Sequence, residues 1–169
     1  MKVGLLADTH DRLPAIATLV RSMADRGAGM LLHAGDFCAP FAIASLLGPQ
    51  LPVGGVFGRN DGDRQGLLGK AAAGIGVELF ESPHTFEVGG RQILLVHDIG
   101  DVQTRSVEAH GLVVHGCSHR SECRTRGDTL IVNPGEGCGW VYGTPSAAVL
   151  DLETNVIEFI TLDGPEWRF

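Results

Sequence analysis

The chain has 169 residues, of which 44% are hydrophobic and 20% charged, and its formal net charge is −7. This length predicts one globular domain, 1–169, with a substantial core, and the negative charge argues against general binding to nucleic acid or to membrane surfaces. We expect no leader and no membrane span, since no apolar run is long enough to cross a bilayer. The four cysteines form no Cys-x-x-Cys pair, which indicates free thiols or metal ligands in a reducing, cytoplasmic setting.

The first half of the chain alternates predicted strands and helices. Short apolar runs without alternation are typical of strands buried in a parallel sheet, and apolar residues at helical spacing follow each run. Asp11 to Pro14 is predicted to cap the first helix, with its proline early in the helix. We assign strands at Val3–Ala7, Met30–Ala34 and Leu51–Phe57, and helices at Leu13–Met23, Pro40–Leu47 and Asp63–Ala73.

The second half is predicted to be mostly strands and turns. Gly89-Gly90 is typical of a hairpin turn, and Gly127-Asp128 of another. We assign strands at Gly76–Phe80, Thr85–Val88, Gln92–Val96, Leu112–His115, Leu130–Val132, Ala147–Leu152 and Val156–Leu162, and one helix at Asp101–Ala109. The prediction is an α/β fold of two packed mixed β-sheets flanked by helices, a four-layer α/β/β/α sandwich.

Polar side chains follow five of these strands, where open α/β sheets bind their ligands. They are Asp8 and His10, Asp36, Arg59 and Asn60, His97, and Cys117 and His119. Carboxylates and imidazoles together suit divalent metal ions, and a carboxylate can bridge two of them. Two ions ~3.5–4 Å apart would clamp a phosphoryl group and activate a water for attack. The pattern therefore predicts a metal centre at this edge, of a kind that could act on the phosphoryl group of a small substrate.

In their order and separation these motifs resemble the calcineurin-like metallophosphoesterases, and more narrowly the small single-domain phosphodiesterases of bacteria and archaea. The resemblance covers nearly the whole chain. It is carried by Asp8-Thr9-His10-Asp11, Gly35-Asp36, Gly58-Arg59-Asn60-Asp61, His97, Gly116-Cys117-Ser118-His119 and the segment Asn133–Trp140. It implies a metallophosphoesterase-like fold and a phosphoesterase, most simply a phosphodiesterase.

The resemblance also implies two metal sites, of which the first is complete. Its ligands would be Asp8, His10, Asp36 and His119. The second site would use Asp36 and His97 together with an asparagine and a further histidine. At those last two positions this chain has Arg59 and Cys117.

The two departures leave alternatives open. An arginine accepts no hydrogen bond and cannot bind a cation. Arg59 therefore binds substrate phosphate, stands in for the second ion, or merely displaces a lost ion. Cys117 could bind zinc or iron as a thiolate, or Asn60 could become the ligand by a shift of one residue. Asn60 also stands where larger relatives have the histidine that protonates the leaving group, which an amide cannot do.

Other histidines and cysteines have plainer interpretations. His33 points away from the site by strand alternation and is predicted to be structural, and His97 could be a core histidine if it is not a ligand. Cys38 and Cys138 are predicted to be small buried or loop thiols. A separate zinc site built from His115 to Cys123 has unusual spacing and is disfavoured.

We therefore expect one or two divalent ions per chain, manganese first, with zinc, iron or nickel as alternatives. The small proteins that the chain resembles suggest a homodimer or homotetramer. The rival hypothesis is a catalytically weak or inactive binding scaffold, as in the retromer subunit of this fold, which has lost metal ligands. The sequence carries no code for the substrate.

Overall fold

The computed structural model describes residues 1–74, 76–165 and 167–168. Strands and helices alternate in the first half: β1 Lys2–Leu6, α1 Leu13–Asp25, β2 Ala28–His33, α2 Ala42–Leu46, β3 Val53–Val56, α3 Arg64–Ala73 and β4 Val77–Phe80. The second half is mostly strands: β5 His84–Val88, β6 Arg91–Val96, α4 Thr104–Glu108, β7 Leu112–His115, β8 Ser121–Arg126, β9 Thr129–Pro134, β10 Ser146–Asp151 and β11 Ile157–Thr161.

The strands form two mixed sheets. The first has the order β11-β10-β1-β2-β3-β4, in which β1 to β4 are parallel and β10 and β11 are antiparallel additions. The second has the order β5-β6-β7-β9-β8, with a parallel centre and an antiparallel strand at each edge. Because the parallel strands of each sheet end at one edge, that edge can gather the loops that follow them.

Three apolar cores separate four layers. Alternate residues of β1 explain its continuous apolar run, because Leu6 packs toward α1 while Val3 and Leu5 pack toward the second sheet. The third core lies between the second sheet and α4, where Val113 contacts the cluster that includes Val107. The predicted α/β/β/α sandwich is confirmed.

Two local predictions were wrong. The predicted segment does begin α1, with Arg12 at the N-cap and Pro14 in the first turn, but Asp11 gives no side-chain cap, since its Oδ1 accepts a hydrogen bond from the backbone of Ala39 at 2.9 Å. The helix predicted at Asp101–Ala109 is shorter, since a 3₁₀ turn occupies Ile99–Asp101 and α4 begins only at Thr104. The carboxylate of Asp98 caps that turn by accepting from the backbone of Gly100 at 2.8 Å.

Both predicted glycine turns are confirmed. Gly89-Gly90 joins the antiparallel strands β5 and β6, and Gly127-Asp128 joins β8 and β9. Gly89, Gly90 and Gly127 all have positive φ, which a residue with a side chain rarely adopts. Within the described ranges, no helix combines the length and apolar character that a bilayer crossing requires.

Candidate metal centre

The loops that follow five strands converge at one edge of the two sheets. Backbone hydrogen bonds tie the loops together, for example from His10 N to the carbonyl of Asp36 at 3.1 Å. In the second sheet, the segments that follow β6 and β7 are tied in the same way, from Gly116 N to the carbonyl of His97 at 2.9 Å. The polar residues predicted at separate strand ends therefore share one site, which spans both sheets.

The backbone is left-handed at five of the predicted ligands. The φ angle is 51° at Asp8, 39° at His10, 61° at Asp36, 66° at Cys117 and 61° at His119. Such angles are uncommon in residues with a side chain, cost about 1–3 kcal/mol each when strained, and cluster at functional sites. The surrounding hydrogen bonds hold these residues in conformations that turn their side chains toward a common centre.

Asp36 lies at the middle of the site. Its carboxylate accepts from the backbone N of Asn60 at 2.8 Å and from the side-chain Nδ2 of Asn60 at 2.7 Å. The Nε2 atoms of His10 and His97 each lie 3.5 Å from its Oδ2. Burial opposes ionisation of Asp36, but the hydrogen bonds from Asn60 and the two imidazoles outweigh it, so its pKa lies below the ordinary value.

The three imidazoles are oriented through their Nδ1 atoms. His97 Nδ1 donates to the carbonyl of Ala34 at 2.8 Å, and His119 Nδ1 lies 2.9 Å from Glu136 Oε2. His10 Nδ1 lies 3.3 Å from the sulfur of Cys38. The Nε2 atoms are thereby left to face the carboxylates, which is how proteins present histidine to a metal.

The residues present fit a divalent cation. Nε2 of both His10 and His97 is buried, and across residues 1–74, 76–165 and 167–168 neither atom has a hydrogen-bond partner. Burial raises the pKa of the Asp8 carboxyl to about 7, a penalty that a nearby cation would offset. Two groups of ligand atoms each lie within 4.8 Å of one another: Asp8, Asp36 and His97, and His10, His119 and Cys138.

Arg59 and Cys117 lie at the rim of this centre. The Arg59 guanidinium donates to Asp98 Oδ2 at 2.6 Å, lies 3.4 Å from Asp101, and its side chain is 58% exposed. The sulfur of Cys117 lies 3.6 Å from the same Asp98 oxygen, and burial raises the pKa of that thiol to about 11. Asp98 therefore contacts these two residues, and the metal role of Cys117 and the phosphate role of Arg59 stay predictions.

Two acidic residues that had no predicted role, Asp61 and Glu136, organise the site. Asp61 is buried and accepts from the backbone N of Asp36 at 3.1 Å, of Gly58 at 2.6 Å and of Cys38 at 2.8 Å. Glu136 is buried beside His119. Both stand next to glycines in the motifs that carry the family resemblance, which is the one signal that could have indicated them.

An exposed rim lies beside the two histidines His10 and His119. Trp140 is 61% exposed, and the guanidinium of Arg12 stacks on its ring at 4.0 Å. Arg120 Nε donates to the hydroxyl of Tyr142 at 2.6 Å. A cavity of ≈ 250 Å³ is lined in part by His119, Arg120 and Tyr142, so the rim has room for an organic group next to the candidate centre.

Comparisons with known proteins show the family and agree with the observed fold. The model of the calcineurin-like phosphoesterase superfamily domain matches residues 1–155. The phosphodiesterase MJ0936 of Methanocaldococcus jannaschii is 27% identical over 166 residues, covering 96% of this chain and 100% of the relative. The structure of an archaeal phosphodiesterase has a TM-score of 0.88 at 26% identity, with 96% and 100% of the two chains covered. The phosphoesterase YfcE of E. coli has a TM-score of 0.67 at 16% identity and the same coverage, which shows the fold alone.

Proposed function

This chain belongs to the calcineurin-like phosphoesterase superfamily and is a phosphoesterase, and from that premise we propose that it is a metal-dependent phosphodiesterase. The observation that carries the metal dependence is the position of Asp36 Oδ2, 3.5 Å from Nε2 of both His10 and His97. Neither nitrogen has a hydrogen-bond partner in the described part of the chain. A carboxylate oxygen between two such nitrogens is suited to bind a metal ion on each side.

The predicted ligands have separate tasks in this proposal. Asp8, His10, Asp36 and His119 would hold the principal ion, and His97 with Asn60 or Cys117 would complete a second. When bound, divalent ions supply Lewis-acid activation of the phosphoryl group and of the attacking water. We propose manganese as the ion, with zinc, iron or nickel accepted by the same mixed nitrogen and oxygen donors.

Asn60 and Arg59 would contact the substrate phosphate. The Nδ2 of Asn60 already faces the centre, because it donates to Asp36 Oδ2 at 2.7 Å. It can donate a hydrogen bond to a phosphoryl oxygen but carries no proton to give to a leaving group. Good leaving groups such as aryl oxides should therefore react fastest. Arg59 can reach an exposed phosphate because its side chain is more than half exposed, although Asp98 competes for it.

A diester is favoured over a monoester by two observations. The M. jannaschii relative is a phosphodiesterase, and the similar archaeal structure is that of a phosphodiesterase. The cavity of ≈ 250 Å³ beside His119 also has space for a second ester group, with the hydroxyl-bearing Tyr142 on its wall.

The experiment measures metal content and hydrolysis of bis(p-nitrophenyl) phosphate with added manganese, on protein purified without chelator. Asp36→Asn should lower the rate by about a thousandfold, because several kcal/mol of charge stabilisation depends on the bound ions. Asp128→Asn, in an exposed turn, is the matched control and should leave the rate unchanged. An unchanged rate in folded Asp36→Asn would exclude the enzyme hypothesis.

The metal count decides between the remaining alternatives. Two ions per active chain would mean that Asn60 or Cys117 completes the second site. One ion with activity would favour Arg59 as a substitute cation. A protein that retains no ion and has no rate with manganese would instead be a binding scaffold.

We also propose that the protein works as a homodimer or homotetramer in the cytoplasm. All four cysteines are free thiols in the structure, as a reducing compartment requires. Sedimentation equilibrium would measure the assembly, and a monomer across the working concentration range would contradict it.

A further inference from the structure

The rim beside His10 and His119 carries three consecutive exposed apolar side chains. Trp140 is 61% exposed, Val141 60% and Tyr142 50%. An unbroken run of apolar residues that faces water usually marks a binding surface. Because this run adjoins the candidate centre, we expect its occupant to be part of the molecule whose phosphate the centre binds.

Both aromatic residues of the run are connected to predicted metal ligands. Trp140 Nε1 donates to the carbonyl of His10 at 3.4 Å. Tyr142 and His119 line the same cavity of ≈ 250 Å³. The carboxylate of Glu136 joins them, since it accepts from the backbone N of Tyr142 at 2.6 Å and lies 2.9 Å from His119 Nδ1. A group that these rings bind would therefore lie next to a phosphate at the centre.

We propose that Trp140 and Tyr142 form an aromatic platform for the ester group that the diester keeps when its leaving group departs, and that this retained group is a planar ring, as in a nucleoside. The inference rests on the proposed phosphodiesterase function and deepens it by naming the substrate class. Aromatic side chains stack on planar rings, whereas a small alkyl group gains little contact from them. The platform would thus select nucleoside and aryl diesters over alkyl diesters.

The leaving group belongs to another part of the site. Asn60, which stands where larger relatives have the histidine that protonates the leaving group, contacts Asp36. The aromatic platform adjoins His10 and His119 instead. In-line displacement puts the leaving group opposite the attacking water and the retained group to one side of that line. The platform is therefore assigned to the retained group.

The platform is held in place by its neighbours. The Glu136 carboxylate binds the backbone of Tyr142, and Arg120 Nε donates to the Tyr142 hydroxyl at 2.6 Å. The Arg12 guanidinium lies 4.0 Å from the centroid of the Trp140 ring, which still leaves that side chain mostly exposed. Rings that are fixed in advance lose little conformational entropy when a ligand binds. The two guanidiniums also attract an anionic diester to a chain whose net charge is −7.

The space beside the platform limits the size of the retained group. Its volume of ≈ 250 Å³ is slightly below the roughly 300–1,000 Å³ that is typical of pockets for drug-sized ligands. It suits a single ring or one nucleoside rather than a longer chain. Thr144 and Thr161 line the same space with hydroxyl groups, which can donate to or accept from the hydroxyls of a sugar.

Two diesters with the same leaving group test the platform. Thymidine 5′-(p-nitrophenyl phosphate) retains a nucleoside, and methyl p-nitrophenyl phosphate retains only a methyl group. With added manganese, Trp140→Ala should raise KM for the thymidine diester about tenfold relative to KM for the methyl diester, as expected for the loss of one stacked base. The loss should appear in KM rather than in kcat, because the stack is the same in the ground state and the transition state.

Further variants separate stacking from other effects. Trp140→Phe, which keeps a ring, should restore most of the preference for the thymidine diester, and Tyr142→Ala should lower it. Val156→Ala is the matched control and should leave both KM values unchanged. Val156 is 63% exposed and lies beside the end of β11 that is opposite to the cavity-lining Thr161.

The outcomes distinguish this inference from the proposed function. Equal changes of KM for both diesters in Trp140→Ala, or no change for either, would overturn the platform. Hydrolysis of both diesters by the unmodified protein without a lower KM for the thymidine diester would refute the platform alone. Unmodified protein that hydrolyses neither diester with manganese would refute the proposed function and the platform together.

Discussion

Glu136 Oε2 lies 2.9 Å from Nδ1 of His119, and this hydrogen bond joins a predicted metal ligand to the exposed rim of the site. The same carboxylate accepts from the backbone N of Val141 at 2.9 Å and of Tyr142 at 2.6 Å. Burial opposes ionisation of Glu136, but these hydrogen bonds outweigh it and hold its pKa below the ordinary value. An ionised Glu136 requires a proton on His119 Nδ1, which leaves Nε2 free, 3.7 Å from Asp8.

Replacement of Glu136 should weaken metal binding. In Glu136→Gln the charge that favours a protonated Nδ1 is gone, so we expect the affinity for divalent metal to fall about 10–100-fold. Calorimetric titration of metal-free protein measures it. Glu87→Gln, on the exposed side of β5, is the control and should bind metal as the unmodified protein does. Equal affinities for the two variants would show that Glu136 supports only the loop.

Gly116 leaves room for Asp8, and its replacement should damage the centre. A Cβ at position 116 would lie 2.8 Å from Asp8 Oδ2 and 2.9 Å from Ala7 Cβ. Gly116→Ala should therefore displace the carboxylate, lower metal affinity and destabilise the fold by about 1–3 kcal/mol. Gly111→Ala meets nothing within 4 Å and should change stability by less than about 0.5 kcal/mol. Thermal unfolding with and without metal compares the two variants, and similar melting temperatures would contradict the steric explanation.

His33 should make stability depend on pH. Burial lowers the pKa of His33 to about 3, and both ring nitrogens already have partners, Thr9 Oγ1 at 3.0 Å and Gly35 N at 3.2 Å. The unfolded imidazole binds a proton near pH 6.5, so the unfolded chain gains protons as the pH falls below that value. The stability that neutral His33 contributes is complete above pH 6.5 and declines toward pH 3. The loss at pH 5 should be about 2 kcal/mol.

The measurement is urea unfolding at pH 8 and pH 5, in chelator, for the unmodified protein and His33→Gln. The variant is expected to be less stable at pH 8, because it loses a packed ring that stacks on Phe37 with centroids 3.8 Å apart. Its stability should change less between the two pH values, and the difference isolates His33 from the other titrating groups. If the stability of both proteins changed equally between pH 8 and pH 5, groups other than His33 would cause the pH dependence.

Asp98 should restrain Arg59 if the arginine binds substrate phosphate. Asp98→Asn removes the carboxylate 2.6 Å from the guanidinium, and KM for bis(p-nitrophenyl) phosphate should fall by up to about fivefold, since an exposed ion pair contributes ~0.2–1 kcal/mol. Arg59→Gln should raise KM with little change in kcat, and it should cancel the gain in the double variant. Steady-state kinetics of the three variants test whether Arg59 binds the substrate. An unchanged KM in Arg59→Gln would mean that Arg59 only forms a surface ion pair with Asp98.

The position of the site was predictable because it follows from strand ends. Asp8, Asp36 and His97 each lie within three residues of the end of a buried strand, and parallel strands deliver such residues to one edge whatever the details of packing. The structural role of His33 was predictable in the same way, since alternation along β2 turns it from the site, and the structure confirms it as buried and hydrogen-bonded.

The partners of the predicted residues were not predictable. Arg59 is paired with Asp98 by the approach of two loops from different sheets, and Glu136 reaches His119 through a loop that no periodicity describes. Cys138 was predicted only to be a buried or loop thiol, although its sulfur lies within 4.8 Å of a nitrogen of His10 and of His119. Side chains of this kind meet through loop paths set by many weak contacts, which leave no pattern in the local sequence.

The sequence by itself therefore determined the layer architecture and the edge at which the candidate metal ligands gather, since hydrophobic periodicity and strand ends act over a few residues. Only the tertiary structure decided which candidate ligand atoms lie close together. It also decided that Asp98 pairs with the Arg59 guanidinium and that Glu136 orients His119. Those outcomes depend on distances between residues far apart along the chain, and such distances exist only once the two sheets have packed.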